Sequence, residues 1–207
     1  PAGRPTLDKD MKRIEKANGI QYESLQREAI QTAIEKGILI LTGGPGTGKT
    51  AVQKALLDLY RAKYPDATIV CCAPTGQAAQ RMKESSWLPA STIHKALCIK
   101  AREDGTMTEG GMLYAELILI DEVSMMDAFL ADRLFAAVPP NARLVLVGDA
   151  DQLPSVGPGN VLGDILASGA VPCARLTDIY RQSEQSRIVL NAHLINRGEM
   201  PLLNEKG

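Results

Sequence analysis

The chain has 207 residues, 45% of them apolar, which is enough for one sizeable core and at most a small appendage. Its 23 Lys and Arg against 24 Asp and Glu give a formal charge of −1, so no global positive field attracts a polyanion and any nucleic-acid contact has to be local. No apolar run nears the ~18 residues of a membrane span, and Pro1-Ala2-Gly3-Arg4-Pro5 lacks the apolar core of a secretory signal, so a soluble cytoplasmic protein without a membrane partner is expected.

Residues 8–18 have helical composition and Gly19 stands where a C-terminal glycine cap belongs. Ser24 is placed to N-cap a second helix that ends at Gly37. From there short apolar runs, at 38–42, 68–73, 116–120, 143–147 and 173–177, alternate with helical segments at 48–63, 75–84, 127–137, 161–168 and 186–197. This alternation predicts an α/β fold, a parallel β-sheet flanked by helices on both faces. Leu117-Ile118-Leu119-Ile120 and Leu144-Val145-Leu146-Val147 carry no polar residue, which marks them as central strands. Residues 100–111 interrupt the rhythm, where Asp104-Gly105 and Gly110-Gly111 predict a surface hairpin or loop. Cys71, Cys72, Cys98 and Cys173 lack the C-x-x-C spacing of a zinc site and are expected to be reduced, buried packing residues.

Between the first strand and the following helix, Gly43-Gly44-Pro45-Gly46-Thr47-Gly48-Lys49-Thr50 matches the P-loop pattern G-x-x-x-x-G-K-[ST]. Glycines let the backbone curl until successive N–H groups face phosphate oxygens, and the helix start adds its positive dipole end. Lys49 supplies a point charge for the β- and γ-phosphates, and Thr50 a hydroxyl for magnesium. The ligand expected here is a magnesium-bound nucleoside triphosphate, read as ATP.

Asp121-Glu122 ends an apolar strand, where ligands of open α/β sheets gather. Asp121 becomes the carboxylate on the magnesium side, and Glu122 the group that polarises the attacking water. Gly148-Asp149-Ala150-Asp151-Gln152-Leu153-Pro154 follows the next strand, and Gln152 can reach the γ-phosphate or its water. On spacing alone a loop of Asp, Gln and Pro is more often just a turn.

Taken in order, the P-loop, Ala73-Pro74-Thr75-Gly76-Gln77-Ala78-Ala79, Thr92-Ile93-His94, Asp121-Glu122-Val123-Ser124-Met125, the 148–154 segment and Tyr180-Arg181-Gln182 resemble the RecD type of superfamily 1B DNA helicases, the exodeoxyribonuclease V alpha-subunit type. The resemblance implies a RecA-like first motor domain that hydrolyses Mg2+-ATP and moves 5′ to 3′ on single-stranded DNA, in DNA recombination and repair. It implies that Gln26 reads the adenine edge, and that Gln152 and Arg181 act on the γ-phosphate. Pro74, Thr75, Gly76, Thr92 and His94 would contact DNA. Residues 1–20 resemble a linker helix, although Lys12, Arg13, Lys16 and Asn18 read more simply as a solvated face. Residues 21–207 are the motor domain, with a short insertion near 99–114.

No segment after Arg181 resembles the second motor domain of such helicases, and Pro1 stands where an intact chain has Met, so an excised first motor domain is expected. ATP gripped by one wall lacks the contacts of the other, so the fragment is expected to be a weak ATPase that does not unwind. The other open readings are an ATP-gated single-strand DNA-binding module without turnover and a P-loop enzyme of another class, such as a kinase.

Overall fold

The computed structural model describes residues 4–86, 88–152 and 157–177. Six strands, β1 (Ile38–Thr42), β2 (Ile69–Ala73), β3 (Ala90–Thr92), β4 (Leu117–Ile120), β5 (Arg143–Gly148) and β6 (Cys173–Arg175), form one sheet in the order β3-β2-β4-β5-β1-β6. Every neighbouring pair is parallel. All four residues of β4 are buried, as expected of a strand covered on both faces.

The two-residue period of a strand sorts these apolar residues into two cores. Leu39, Leu41, Leu117, Leu119, Val145 and Val147 share a cluster with residues of α1 (Arg4–Asn18), α2 (Ser24–Lys36) and α3 (Lys49–Lys63), joined by Met82 of α4 (Gly76–Ser86). Ile40, Ile118, Ile120, Leu144 and Leu146 form the opposite cluster with α5 (Ile93–Ala96), α6 (Ala128–Ala137) and α7 (Val161–Ser168). Leu7, Met11 and Ile14 recur at helical spacing, so α1 lays an apolar stripe on the first core. The Glu15 carboxylate accepts from the Tyr22 backbone N–H at 3.0 Å and pairs with Arg27 at 2.6 Å, tying α1 to the start of α2. Asn18 donates to Asp58 and accepts from Lys54, which ties the same C-terminal end of α1 to α3.

Several local expectations change in the folded chain. The cap of α2 is Glu23 rather than Ser24: a capping box pairs the Glu23 side chain with the Gln26 backbone, and the Glu23 N–H with the Gln26 side chain. The short edge strand β3 and the single-turn α5 carry too few residues for a periodic signal. The last apolar run is an edge strand whose Cys173 and Arg175 are exposed. Residues 100–111 do make a small hairpin: Ala101 and Met107 bridge antiparallel, Arg102 N–H donates to the Thr106 carbonyl, and Gly105 takes φ +79 at the turn. Among the described residues no helix is long and apolar enough to cross a membrane.

The cysteines divide. Cys71 and Cys72 are buried, but Cys98 and Cys173 are exposed, against the expectation that all four are core residues. Burial pushes the Cys71 thiol up to about 12 and the Cys72 thiol to about 11, so neither supplies a useful thiolate at pH 8. Two of the four thiols should therefore titrate with a water-soluble disulfide reagent in the native protein, and all four after unfolding. Fast labelling of all four in the native state would contradict this burial.

Gly148, at the end of β5, has no room for a side chain. A Cβ there would lie 2.9 Å from Leu162 Cδ2 and 3.3 Å from the Ser124 backbone nitrogen. The leucine tip can turn aside but the backbone cannot, so Gly148→Ala is expected to destabilise by about 1–3 kcal/mol. A fall in the urea midpoint with an unchanged slope would report it.

Candidate functional site

β1 delivers the chain to the C-terminal edge of the sheet and the P-loop turns over it into α3. Gly46 and Gly48 sit at φ +73 and +88, conformations costly for any residue with a Cβ. Gly43 is needed for space instead, since a Cβ would lie 2.5 Å from Thr47 Oγ1 and 3.1 Å from the Leu176 carbonyl. Thr47 is buried, and its hydroxyl donates to the Gly44 carbonyl at 2.8 Å, pinning the loop's curl. The Lys49 ammonium donates to the Gly43 carbonyl and, at 3.0 Å, to that of Gly44, so its charge lies over the loop. Thr50 is exposed at the first turn of α3 and borders the cleft.

The order of strands decides what faces this loop. β5 lies between β1 and β4, so the segment after β5 emerges between the P-loop and Asp121-Glu122. Together they border a cleft of about 710 Å³, lined by Gly44, Pro45, Gly46, Gly48, Lys49 and Thr50 on one side and by Asp121, Glu122, Gly148, Asp149 and Gln152 on the other. Asp121 is held twice: its Oδ1 accepts from the Glu122 N–H at 2.8 Å and its Oδ2 from the Gln53 carboxamide at 3.3 Å. Glu122 adopts a left-handed backbone, φ 55 and ψ 40, which costs roughly 1–2 kcal/mol for a residue with a Cβ. The Glu122 carbonyl accepts from Met125 N–H, closing a 3-10 turn over Val123–Met125 that holds this kink. Ser124 Oγ donates to Gln152 Oε1 at 3.4 Å, and buried Asp149 accepts from the Asp151 N–H at 3.0 Å.

Pro74, Thr75 and Gly76 follow β2, where Thr75 Oγ1 accepts from the Ala78 N–H and caps α4. Thr92 ends β3 and caps α5 by accepting from the Lys95 N–H, while His94 is half-buried on that turn. Ala73 and Thr92 are register partners, so these two helix starts lie side by side at the same sheet edge as the cleft. Gln26 stands apart: it is 2% exposed, caps α2 and does not border the cleft. Arg181, with Tyr180 and Gln182, lies outside the described residues, as does the helix expected at 186–197.

Among the cleft residues not anticipated from sequence, two reach the carboxylates. Gln53 is a buried polar residue on α3 and Arg81 an exposed one on α4, whose guanidinium lies 3.8 Å from Glu122 Oε1. Gln53 carried a signal, because it follows Lys49 by four residues, one helical turn, on a face that otherwise reads as core. Arg81 carried none, since its partner is far away in the chain.

The parallel sheet, the P-loop entering α3 and the carboxylates at the end of β4 define a RecA-like P-loop domain. A family model described as an AAA domain matches residues 26–158, and the chain belongs to that family. It is 41% identical over 169 residues to the ATP-dependent RecD2 DNA helicase of Deinococcus radiodurans, a match covering 82% of this chain and 23% of that protein. It is 40% identical over 162 residues to the RecBCD enzyme subunit RecD of Mycobacterium tuberculosis, covering 68% of this chain and 28% of the relative. The chain thus spans about a quarter of the length of these curated relatives, and the resemblance to the RecD type holds. Among solved structures, Bacteroides Pif1 in complex with ADP-AlF4 shares the fold, with a TM-score of 0.54 at 21% identity over 86% of this chain and 47% of that one. Pif1 helicase of Candida albicans does so with a TM-score of 0.54 at 20% identity, over 88% of this chain and 45% of that one.

Proposed function

We propose that this chain is the ATP-binding first motor domain of a 5′-to-3′ DNA helicase, which couples hydrolysis of Mg2+-ATP to movement on single-stranded DNA. The observation that carries this reading is the single cleft bordered by the P-loop, by Asp121-Glu122 and by Gln152. Its relatives' names, an ATP-dependent DNA helicase and RecBCD subunits, point to the same chemistry.

The P-loop N–H groups and Lys49 take the triphosphate oxygens. Thr50 and Asp121 offer the hard hydroxyl and carboxylate oxygens that suit Mg2+, and these two would hold it. That ion supplies charge neutralisation at the phosphates. Water attacks the γ-phosphorus, its proton passes to Glu122, and the bond to ADP breaks to release inorganic phosphate. Gln152 orients the water or a γ-phosphate oxygen, and Arg181 neutralises charge developing on the transferred group. The resemblance assigns the adenine edge to Gln26, but its oxygen is held by the Glu23 N–H and it is buried outside the cleft, so it reaches a base only if the nucleotide extends beyond the P-loop cleft. The helix starts at Thr75 and Thr92, with Pro74, Gly76 and His94, receive DNA phosphates.

A second RecA-like motor domain closes the cleft, so residues 1–207 alone bind nucleotide, turn over slowly and bind DNA weakly and with strong salt dependence. Residues 1–20 serve as a linker leading into the motor, and the site of action is a cytoplasmic recombination or repair assembly. The test is ATPase and unwinding by the full-length protein. Single-stranded DNA is expected to stimulate hydrolysis, and duplexes with a 5′ tail to be opened in preference to those with a 3′ tail. Hydrolysis indifferent to single-stranded DNA overturns the reading, and preference for the 3′ tail overturns its direction.

A further inference from the structure

We propose that Arg81 is a positioning residue that restrains Glu122 until DNA engages the start of α4, so that this ion pair links DNA contact to hydrolysis. The inference rests on the reading of Glu122 as the group that receives the proton from water.

The geometry places one side chain between the two functions. Thr75 caps α4 at the edge assigned to DNA, and Arg81, on the same helix, borders the nucleotide cleft. Its guanidinium lies 3.8 Å from Glu122 Oε1. Asp121 needs no such restraint, because Gln53 and the Glu122 N–H already hold both of its oxygens. The Glu122 carboxylate has no other side-chain partner among the bonds seen in the described residues. The Arg81 side chain is 62% exposed and that of Glu122 24%, so the pair forms a weak contact that a small displacement of α4 can break. The sheet order adds to this, since β2, which leads into α4, is hydrogen-bonded to β4, which leads into Glu122. A phosphate drawn to the Thr75 end of α4 therefore acts on the same helix that carries Arg81, the partner of the hydrolytic carboxylate.

Arg81→Ala and Arg81→Lys in the full-length protein test this, with ATP turnover measured without DNA and at saturating oligothymidylate. Loss of a weak surface pair is expected to raise DNA-free turnover roughly two- to fivefold. The DNA-saturated rate should stay near that of the wild type, so the stimulation ratio contracts by the same factor, and Arg81→Lys should fall between the two. A merely structural role would lower both rates together and leave the ratio unchanged, which overturns the proposal. Nucleotide affinity measured with a fluorescent ATP analogue should match the wild type; a loss in affinity that accounts for the rate changes also overturns it. If the wild type hydrolyses ATP without any response to DNA, the helicase reading itself fails and the Arg81 link with it. If the wild type responds to DNA and both variants keep the wild-type ratio, only the Arg81 link fails.

Discussion

Glu122→Gln is expected to lower ATP turnover by about 10²–10⁴-fold, the range that removal of a positioned general base produces. The substitution keeps the volume and one carboxamide oxygen, and the left-handed turn is held by the backbone bond from Met125, so the cleft should keep its shape. What disappears is the site that accepts the proton of the attacking water. Nucleotide affinity should stay close to the wild type, because among the described residues the Glu122 carboxylate makes no hydrogen bond to the P-loop or to Asp121. Single-turnover hydrolysis together with titration of a fluorescent ATP analogue separates the two effects. Unchanged turnover would move the proton acceptor elsewhere, and equal losses of affinity and rate would make Glu122 a structural residue of the cleft.

Lys49→Ala should act on the opposite quantity. Its ammonium is the cation of the cradle, lying over the loop through the Gly43 and Gly44 carbonyls. A charge-assisted hydrogen bond to phosphate stabilises by about 1.5–3 kcal/mol, so nucleotide affinity should fall roughly 10- to 100-fold, with turnover falling further. The fold should tolerate the change: Lys49 is half-buried, and Thr47 pins the loop independently through the Gly44 carbonyl. The urea midpoint should therefore move little. Affinity within twofold of the wild type would mean that the loop binds phosphate by its backbone alone.

Most of the fold was legible because its strands are short, continuous and apolar. The runs at β1, β4 and β5 need no partner to be recognised, and the lack of polar residues over 117–120 and 144–147 already states that both faces are covered there. β3 was not legible, since Ala90–Thr92 gains its identity only from pairing with β2. The same reason hid the α2 cap: Ser24 has the commoner capping side chain, yet the reciprocal Glu23 and Gln26 bonds satisfy two backbone donors where a serine satisfies one. Cys98 and Cys173 read as core by residue type, and lie on the surface because a turn and an edge strand carry them there.

For the site, sequence alone determined the pieces whose chemistry is local: the glycine-rich turn before α3, Lys49 and Thr50 in its register, and two carboxylates closing an apolar strand. These are contiguous in the chain, so spacing encodes their geometry. Tertiary structure alone decided that β5 lies between β1 and β4, which brings Gln152 to the same cleft, and that Gln53 and Arg81 hold the two carboxylates from different helices. Such contacts join residues 68 and 41 positions apart, and nothing in the intervening chain specifies a distance until the sheet order has been set.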